Sequence, residues 1–312
     1  MNKCLYCYKE LDAAEDYHTL CAKAFFGTAT APILPYQMED IVELARDSVT
    51  RSVTLPGVQP KLSLDFIKER LKDPNSGRLT ILDALDGHFI LKPQNEAYAQ
   101  MPEIEHLSMR LAELFKIHVV PSSLIRLASG ELCYITKRVD RTADGSKRHM
   151  IDFLQILELQ DKYLGTMEML GKEIGKLSSN TLLDKLRFFE LTLFNYIIGN
   201  NDMHLKNYSM ILSDDGWVLS PAYDLINLKL ILPNDQEDTA LMLGGKKQNF
   251  SKFYFDRFAD NLNLNEKQKN SIYKRLQKWL PTAIDLIKTS FINEDFKSKY
   301  IQLIMQRSQL FQ

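Results

Sequence analysis

The chain has 312 residues, 45% of them hydrophobic, and its 39 Lys+Arg against 40 Asp+Glu leave a net charge of -1. That length buries a large core as one two-lobed unit or two closely packed domains, and a charge so near zero excludes a global positive field for nucleic acid, though not a local patch. A secretory leader and an apolar run long enough to span a bilayer are both missing, so the expectation is a soluble cytoplasmic protein without a membrane partner.

Residues 1–27 form a compositional island that reads as a separate arm. Three of the four cysteines fall within its first 21 residues, which is not a disulfide framework in a chain of this size. Cys4-x2-Cys7 and His18-x2-Cys21 instead give two close pairs of ligands at zinc-finger spacing, and a tetrahedral Zn2+ would tie the arm together. The alternative is a set of reduced thiols in a small packed arm. Pro32 and Pro35 mark a linker, and Met38–Arg46 has the apolar spacing of a short helix.

The stretch to about residue 140 is read as an N-terminal lobe made mostly of strands. Lys61–Phe66 alternates, and Leu79–Leu85, Asp86-Gly87 and His88–Lys92 are expected to pair as a hairpin. Pro102 opens a helix with Ile104, Leu107, Leu111, Leu114 and Phe115 at helical spacing, stopped by Val119-Val120-Pro121. Leu132–Thr136 is a further strand leading into Lys137-Arg138-Val139-Asp140-Arg141. Cys133 within it reads as a buried small side chain.

Residues 141–312 are expected to be mainly helical. Asn180 is placed as the cap of a helix that presents Leu182, Leu183, Leu186, Phe189, Leu193, Phe194 and Ile197 on one broad face and ends at Gly199. A tight hairpin follows, Tyr208–Leu212 and Trp217–Leu219 around Asp214-Asp215-Gly216, bringing Asn207 and Asp224 near one another. Asn265–Gln312 reads as packing helices with Pro281 as a kink or break.

The chemistry concentrates in Asn200–Asn207 and in Asp224. Phosphoryl transfer to an alcohol depends on positioning and charge neutralisation, with one carboxylate to take the hydroxyl proton and two oxygen ligands for magnesium on the nucleotide. Asp202 fits the first role, and Asn207 and Asp224 the second. Lys92, at the end of Phe-Ile-Leu-Lys, is placed to reach the ATP phosphates, with Glu105 on the next helix to steady it. His204, grouped with the cofactor-binding residues, is expected to brace the loop. Gly57 lies where a kinase keeps its phosphate-covering loop, but the segment has one glycine where three are usual. Thr54 and Ser52 beside it are candidate autophosphorylation sites, since a phosphate there adds nearly two negative charges next to the nucleotide. A small-molecule phosphotransferase and a catalytically silent scaffold are the competing readings; a zinc-dependent nucleic-acid binder is disfavoured by the charge.

On these residues the chain resembles the HipA family of toxin serine/threonine kinases. The matching motifs are Gly57-Val-Gln-Pro-Lys61, Phe89-Ile-Leu-Lys92, Lys137-Arg-Val-Asp-Arg141, Asp152-Phe-Leu-Gln155, Gly199–Asn207, Pro221-Ala-Tyr-Asp-Leu225 and Leu241–Lys246. Its length looks more like the short HipT toxins of three-component systems. The resemblance implies an α+β, two-lobed protein-kinase-like fold with Asp202 as base, Asn207 and Asp224 on magnesium, Lys92 on the ATP phosphates, and Lys137, Arg138 and Val139 at the adenine-binding hinge. It also implies autophosphorylation at Thr54, although Pro56 stands where short toxins carry a second serine. An aminoacyl-tRNA synthetase is the implied substrate. A helix-turn-helix antitoxin and a small HipS-like protein are the implied partners, with DNA met only through the antitoxin.

Overall fold

The computed structural model describes residues 2–11, 15–41, 43–44, 62–68, 77–82, 87–95, 97–142 and 145–312, with the backbone alone in 62–68 and 77–82. The chain divides into two compact units. One takes Met1–His106, Val120–Gly145 and Thr289–Phe291; the other takes Leu107–Val119, Ser146–Lys288 and Ile292–Gln312.

The first unit is built on five antiparallel strands, β1 (Leu62–Lys68), β2 (Gly77–Leu82), β3 (Phe89–Lys92), β4 (Ser122–Arg126) and β5 (Leu132–Lys137), in the order β2-β1-β3-β5-β4. The two-residue period of a strand sorts its side chains onto two faces. Phe89 and Leu91 join Ile125, Cys133 and Ile135 on one face, in a buried cluster completed by Leu34, Ile41 and Phe25 of the helix Thr19–Phe26. Lys92 falls on the other face, opposite Tyr134 in the register. Helical backbone is also present at residues 38–41, within the expected Met38–Arg46 helix.

The expected hairpin of β2 with β3 does not form. β1 lies between them, pairing Phe66 with Leu79 on one side and Ser63 with Ile90 on the other. β2 and β3 are each antiparallel to β1 and so run in the same direction, not in the opposite directions that the Asp86-Gly87 turn signal predicts. β3 carries the buried Phe89 and Leu91 and takes a central place between β1 and β5.

In the second unit, β6 (Met150–Asp152), β7 (Ser209–Ser213) and β8 (Gly216–Leu219) form a sheet in that order, beside the helices Met167–Leu177, Thr181–Ile198, Lys252–Asn261, Glu266–Thr289 and Glu294–Ser308. The helix Thr181–Ile198 is its centre: every residue from Phe188 to Ile198 is buried, the pattern of a helix wrapped on all sides. Phe188 meets Tyr208 and Phe258 edge to face, and Phe194 meets Trp279 in the same way. Leu182 and Leu183, assigned to the buried face from spacing, are exposed in the first turn. Asn180 occupies the cap position but its side chain makes no cap bond. The local bonds come from Ser178, whose hydroxyl accepts from Asn180 N and donates to Asp184. Of the kink or break expected at Pro281, the break does not occur: Glu266–Thr289 is one helix.

Candidate active site

Gly199 ends the helix Thr181–Ile198 in the left-handed region, φ 80°, with its N–H on Tyr196 O. A side chain there would meet Leu303 at 2.6 Å and Asn227 at 2.8 Å, so glycine is required by both backbone and space. The chain therefore leaves a buried helix at a fixed angle and enters Asn200–Asn207. Asn201 Nδ2 donates to Asp235 Oδ2 (2.6 Å) and to Glu237 O (3.1 Å), and Asn200 Nδ2 to Asn195 Oδ1 (2.9 Å). Asn207 Nδ2 donates to Asp202 O at 2.9 Å. That bond commits the amide nitrogen to the loop and turns the Asn207 carbonyl oxygen into the atom left to act as a ligand.

Asp224 is brought back to this loop by the hairpin β7–β8. The Tyr223 hydroxyl donates to Lys206 O (3.0 Å) and shares a bond with Ser209 Oγ (2.5 Å), while Ala222 N donates to His118 O (2.8 Å). Asp224 adopts φ 56°, a conformation that acidic and amide residues tolerate better than most. With Asn207 it supplies hard oxygen donors of the kind magnesium takes, so the donor set fits the ion.

Asp202 is half-buried, and Tyr163 Oη donates to its Oδ1 at 2.8 Å. Burial, then the Asp202 charge, pushes the Tyr163 phenol upward, which keeps it a proton donor to this carboxylate. The Tyr163 and His204 rings meet edge to face at 5.4 Å. Burial drives His204 down to about 4, aided by Lys162 and opposed by Asp202 and Asp224. His204 is therefore neutral near pH 7.

In the first unit Lys92 Nζ lies 2.5 Å from Glu105 Oε1, both buried, and 5.3 Å from the centre of the Tyr134 ring. A buried pair needs both partners, since either charge alone is expensive in a low dielectric. Further along, Arg138 N donates to His88 O at 2.8 Å, and its guanidinium grips Asp140 through two bonds of 3.0 and 2.8 Å, with Arg141 adding a third at 2.5 Å. Burial lowers the Lys137 ammonium, and Val139 is half-buried. Gly57, Thr54 and Ser52 lie outside the described residues.

The Cys4, Cys7, His18 and Cys21 ligand atoms all lie within 4.8 Å of one another. Burial and the neighbouring thiols push the Cys21 thiol up to about 12. Cys133 stands apart in the sheet core, where burial pushes it to about 12.

Comparison with known proteins decides the kinship. Residues 53–284 match the model of the HipA-like C-terminal domain. The chain belongs to this family. A relative from Haemophilus influenzae named "Putative kinase" is 26% identical over 87% of this chain and 82% of its own length. The serine/threonine-protein kinase toxin HipA of Shewanella oneidensis is 23% identical over 80% of this chain, which spans 63% of that toxin. Among solved structures, the Shewanella HipA in complex with HipB and operator DNA superposes over 88% of this chain and 71% of that one with TM-score 0.70 at 19% identity. The Helicobacter pylori proinflammatory kinase CtkA superposes over 79% of this chain and 92% of its own with TM-score 0.55 at 14% identity. The fold is thus the two-lobed kinase-like α+β fold.

Within this HipA-like frame, Tyr163 is the site residue that sequence reading passed over. It contacts Asp202 from 39 positions away, and no spacing rule links them. The nearest signal is the start of the helix Met167–Leu177, capped by Thr166 Oγ1 accepting from Met169 N at 3.1 Å, which fixes the strap Asp161–Gly165 in front of the loop.

Proposed function

We propose that this HipA-like protein is an ATP- and magnesium-dependent serine/threonine protein kinase and the toxin of a toxin–antitoxin system. The observation that carries the reading is the Asn207 amide bonded to the Asp202 carbonyl. It holds a carboxylate and an amide oxygen on one short loop, in the order a phosphoryl-transfer site uses them. Asp202 takes the proton of the acceptor hydroxyl as that oxygen bonds to the γ-phosphorus and the bond to the β–γ bridging oxygen breaks. ADP leaves. Asn207 and Asp224 hold magnesium, which when bound offsets charge on the phosphates. Lys92, steadied by Glu105, contacts the nucleotide phosphates, and Lys137, Arg138 and Val139 border the adenine.

The family supports an aminoacyl-tRNA synthetase as substrate, and the Shewanella complex supports a HipB-like helix-turn-helix partner through which DNA is reached. A small HipS-like protein is the further partner in this reading, and Thr54 or Ser52 the residue that the kinase modifies on itself. The test is to incubate the purified parent and Asp202→Ala with labelled ATP and magnesium and to map phosphopeptides. The parent should carry label at Thr54 or Ser52 and phosphorylate its substrate, while Asp202→Ala should transfer at least about 100-fold more slowly with ATP affinity retained. Equal transfer by the variant would sink the assignment of the base. An active parent with no label at either position would remove only the self-modification.

A further inference from the structure

We propose that Cys4, Cys7, His18 Nδ1 and Cys21 form a structural zinc site that clamps the first 27 residues onto the sheet and helix carrying Lys92 and Glu105. Tetrahedral zinc with sulfur at 2.3 Å and nitrogen near 2.0 Å requires sulfur–nitrogen edges of about 3.6 Å and sulfur–sulfur edges of about 3.8 Å. Cys7 Sγ lies 3.4 Å and Cys21 Sγ 3.7 Å from His18 Nδ1. These two edges match, and all four donor atoms, Cys4 Sγ included, lie within 4.8 Å of one another.

The imidazole is also set for the task. His18 Nε2 lies 3.0 Å from Glu10 O, and a carbonyl only accepts, so Nε2 bears the hydrogen and Nδ1 keeps its lone pair toward the sulfurs. This is the outer-shell bond by which ligating histidines are oriented. The backbone makes a matching cradle. Cys4 N donates to Lys9 O and Tyr8 N to Cys4 O, both at 2.9 Å, with Tyr8 at φ 66°, so Cys4 and Cys7 sit on one tight knuckle. Cys21 lies in the first turn of the helix Thr19–Phe26. Soft thiolates with one imidazole select zinc over magnesium or calcium.

What the knuckle and helix touch gives the site its purpose. Leu124 N on the edge strand β4 donates to Leu5 O at 3.3 Å, and Arg126 pairs with Asp16 at 3.0 Å. Tyr17 donates to Leu124 O. Phe25 and Phe26 pack on Phe89, three residues before Lys92, with ring centres 5.8 and 6.2 Å away. Tyr8 Oη meets Nδ1 of His106, the neighbour of Glu105, at 2.9 Å. Metal bound at the cluster therefore holds one support under β3 and another beside the helix Met101–Leu114.

The test uses the full-length untagged chain, purified reduced from metal-sufficient cells, and reads elemental content. About one zinc per chain is expected, falling below about 0.2 in Cys7→Ser or Cys21→Ser and unchanged in Cys133→Ser. Should the serine variants not fold, the parent is stripped with chelator and refilled with cobalt(II), whose visible bands report a tetrahedral site with three thiolates. Folded parent protein that holds less than about 0.1 zinc and gives no cobalt bands overturns the site. The clamp is read by hydrogen exchange: stripping should speed exchange at least about tenfold in Phe89–Lys92 and in the first turns of Met101–Leu114. Unchanged exchange there refutes the clamp. Neither readout uses phosphoryl transfer, so each stands or falls apart from the kinase reading.

Discussion

The side chains around Asp202 show how burial sets roles at the scale of one residue. His204 is 6% exposed and its buried Nδ1 finds no hydrogen-bond partner among the described residues, so charging it in the folded protein is costly. Its folded value of about 4 lies below the ordinary 6.5. The unfolded chain therefore binds the extra proton first. The stability that follows is fully present above pH 6.5 and is lost as the pH falls toward 4, an effect of order 2 to 3 kcal/mol. Urea unfolding followed between pH 7 and 4 should show this loss in the parent, and His204→Gln should flatten the acid limb by up to one proton in its slope. An identical slope in both proteins would mean that His204 is not held neutral. Asp202, Asn207 and Asp224 stand out in the sequence because phosphoryl-transfer chemistry restricts such positions to a few residue types. The strap residue Tyr163 does not, because a phenol at that distance is specified only by the folded path of the chain.

At the scale of elements, two junctions do most to present these groups. The first is the end of the helix Thr181–Ile198. Gly199→Ala forces a side chain into the left-handed region and against Leu303 and Asn227, and should cost at least about 1–2 kcal/mol in thermal or urea unfolding. The second is the pairing of β3 with the helix Met101–Leu114 through Lys92 and Glu105. Lys92→Met or Glu105→Gln alone removes one partner of this buried ion pair and should destabilise by about 3–5 kcal/mol, whereas the double variant should lie well below the sum. Additive losses would show that the two side chains do not depend on each other. Helices with long apolar repeats were readable from sequence, as in Met101–Leu114 and Thr181–Ile198. The short strands β4 and β6 were missed, and the partner of β3 was misassigned, because strand order is set by which faces must be buried and not by the nearest turn. Leu182 and Leu183 mislead for a related reason: the period continues past the point where packing stops.

For the whole molecule, charge is the property that sequence states most directly. A net charge of -1 leaves little counterion release to drive binding to DNA. Lys267, Lys274, Arg275 and Lys278 do line one shallow cavity along the helix Glu266–Thr289, but Arg275 is already engaged by Glu190 at 2.5 Å. The isolated chain at micromolar concentration should therefore not retard random duplex DNA at about 0.15 M salt, where basic binders hold it with Kd of roughly 10⁻⁴ to 10⁻⁶ M; retardation would point to a basic surface that this count conceals. The division into two units has a practical consequence. Each is assembled from three separate stretches of sequence, and Thr289–Phe291, held by Lys3 Nζ donating to Thr289 O at 2.9 Å, returns to the first unit between two helices of the second. No single cleavage or stop codon can release either half intact, so dissecting this protein by truncation would yield pieces that each lack part of their own interior.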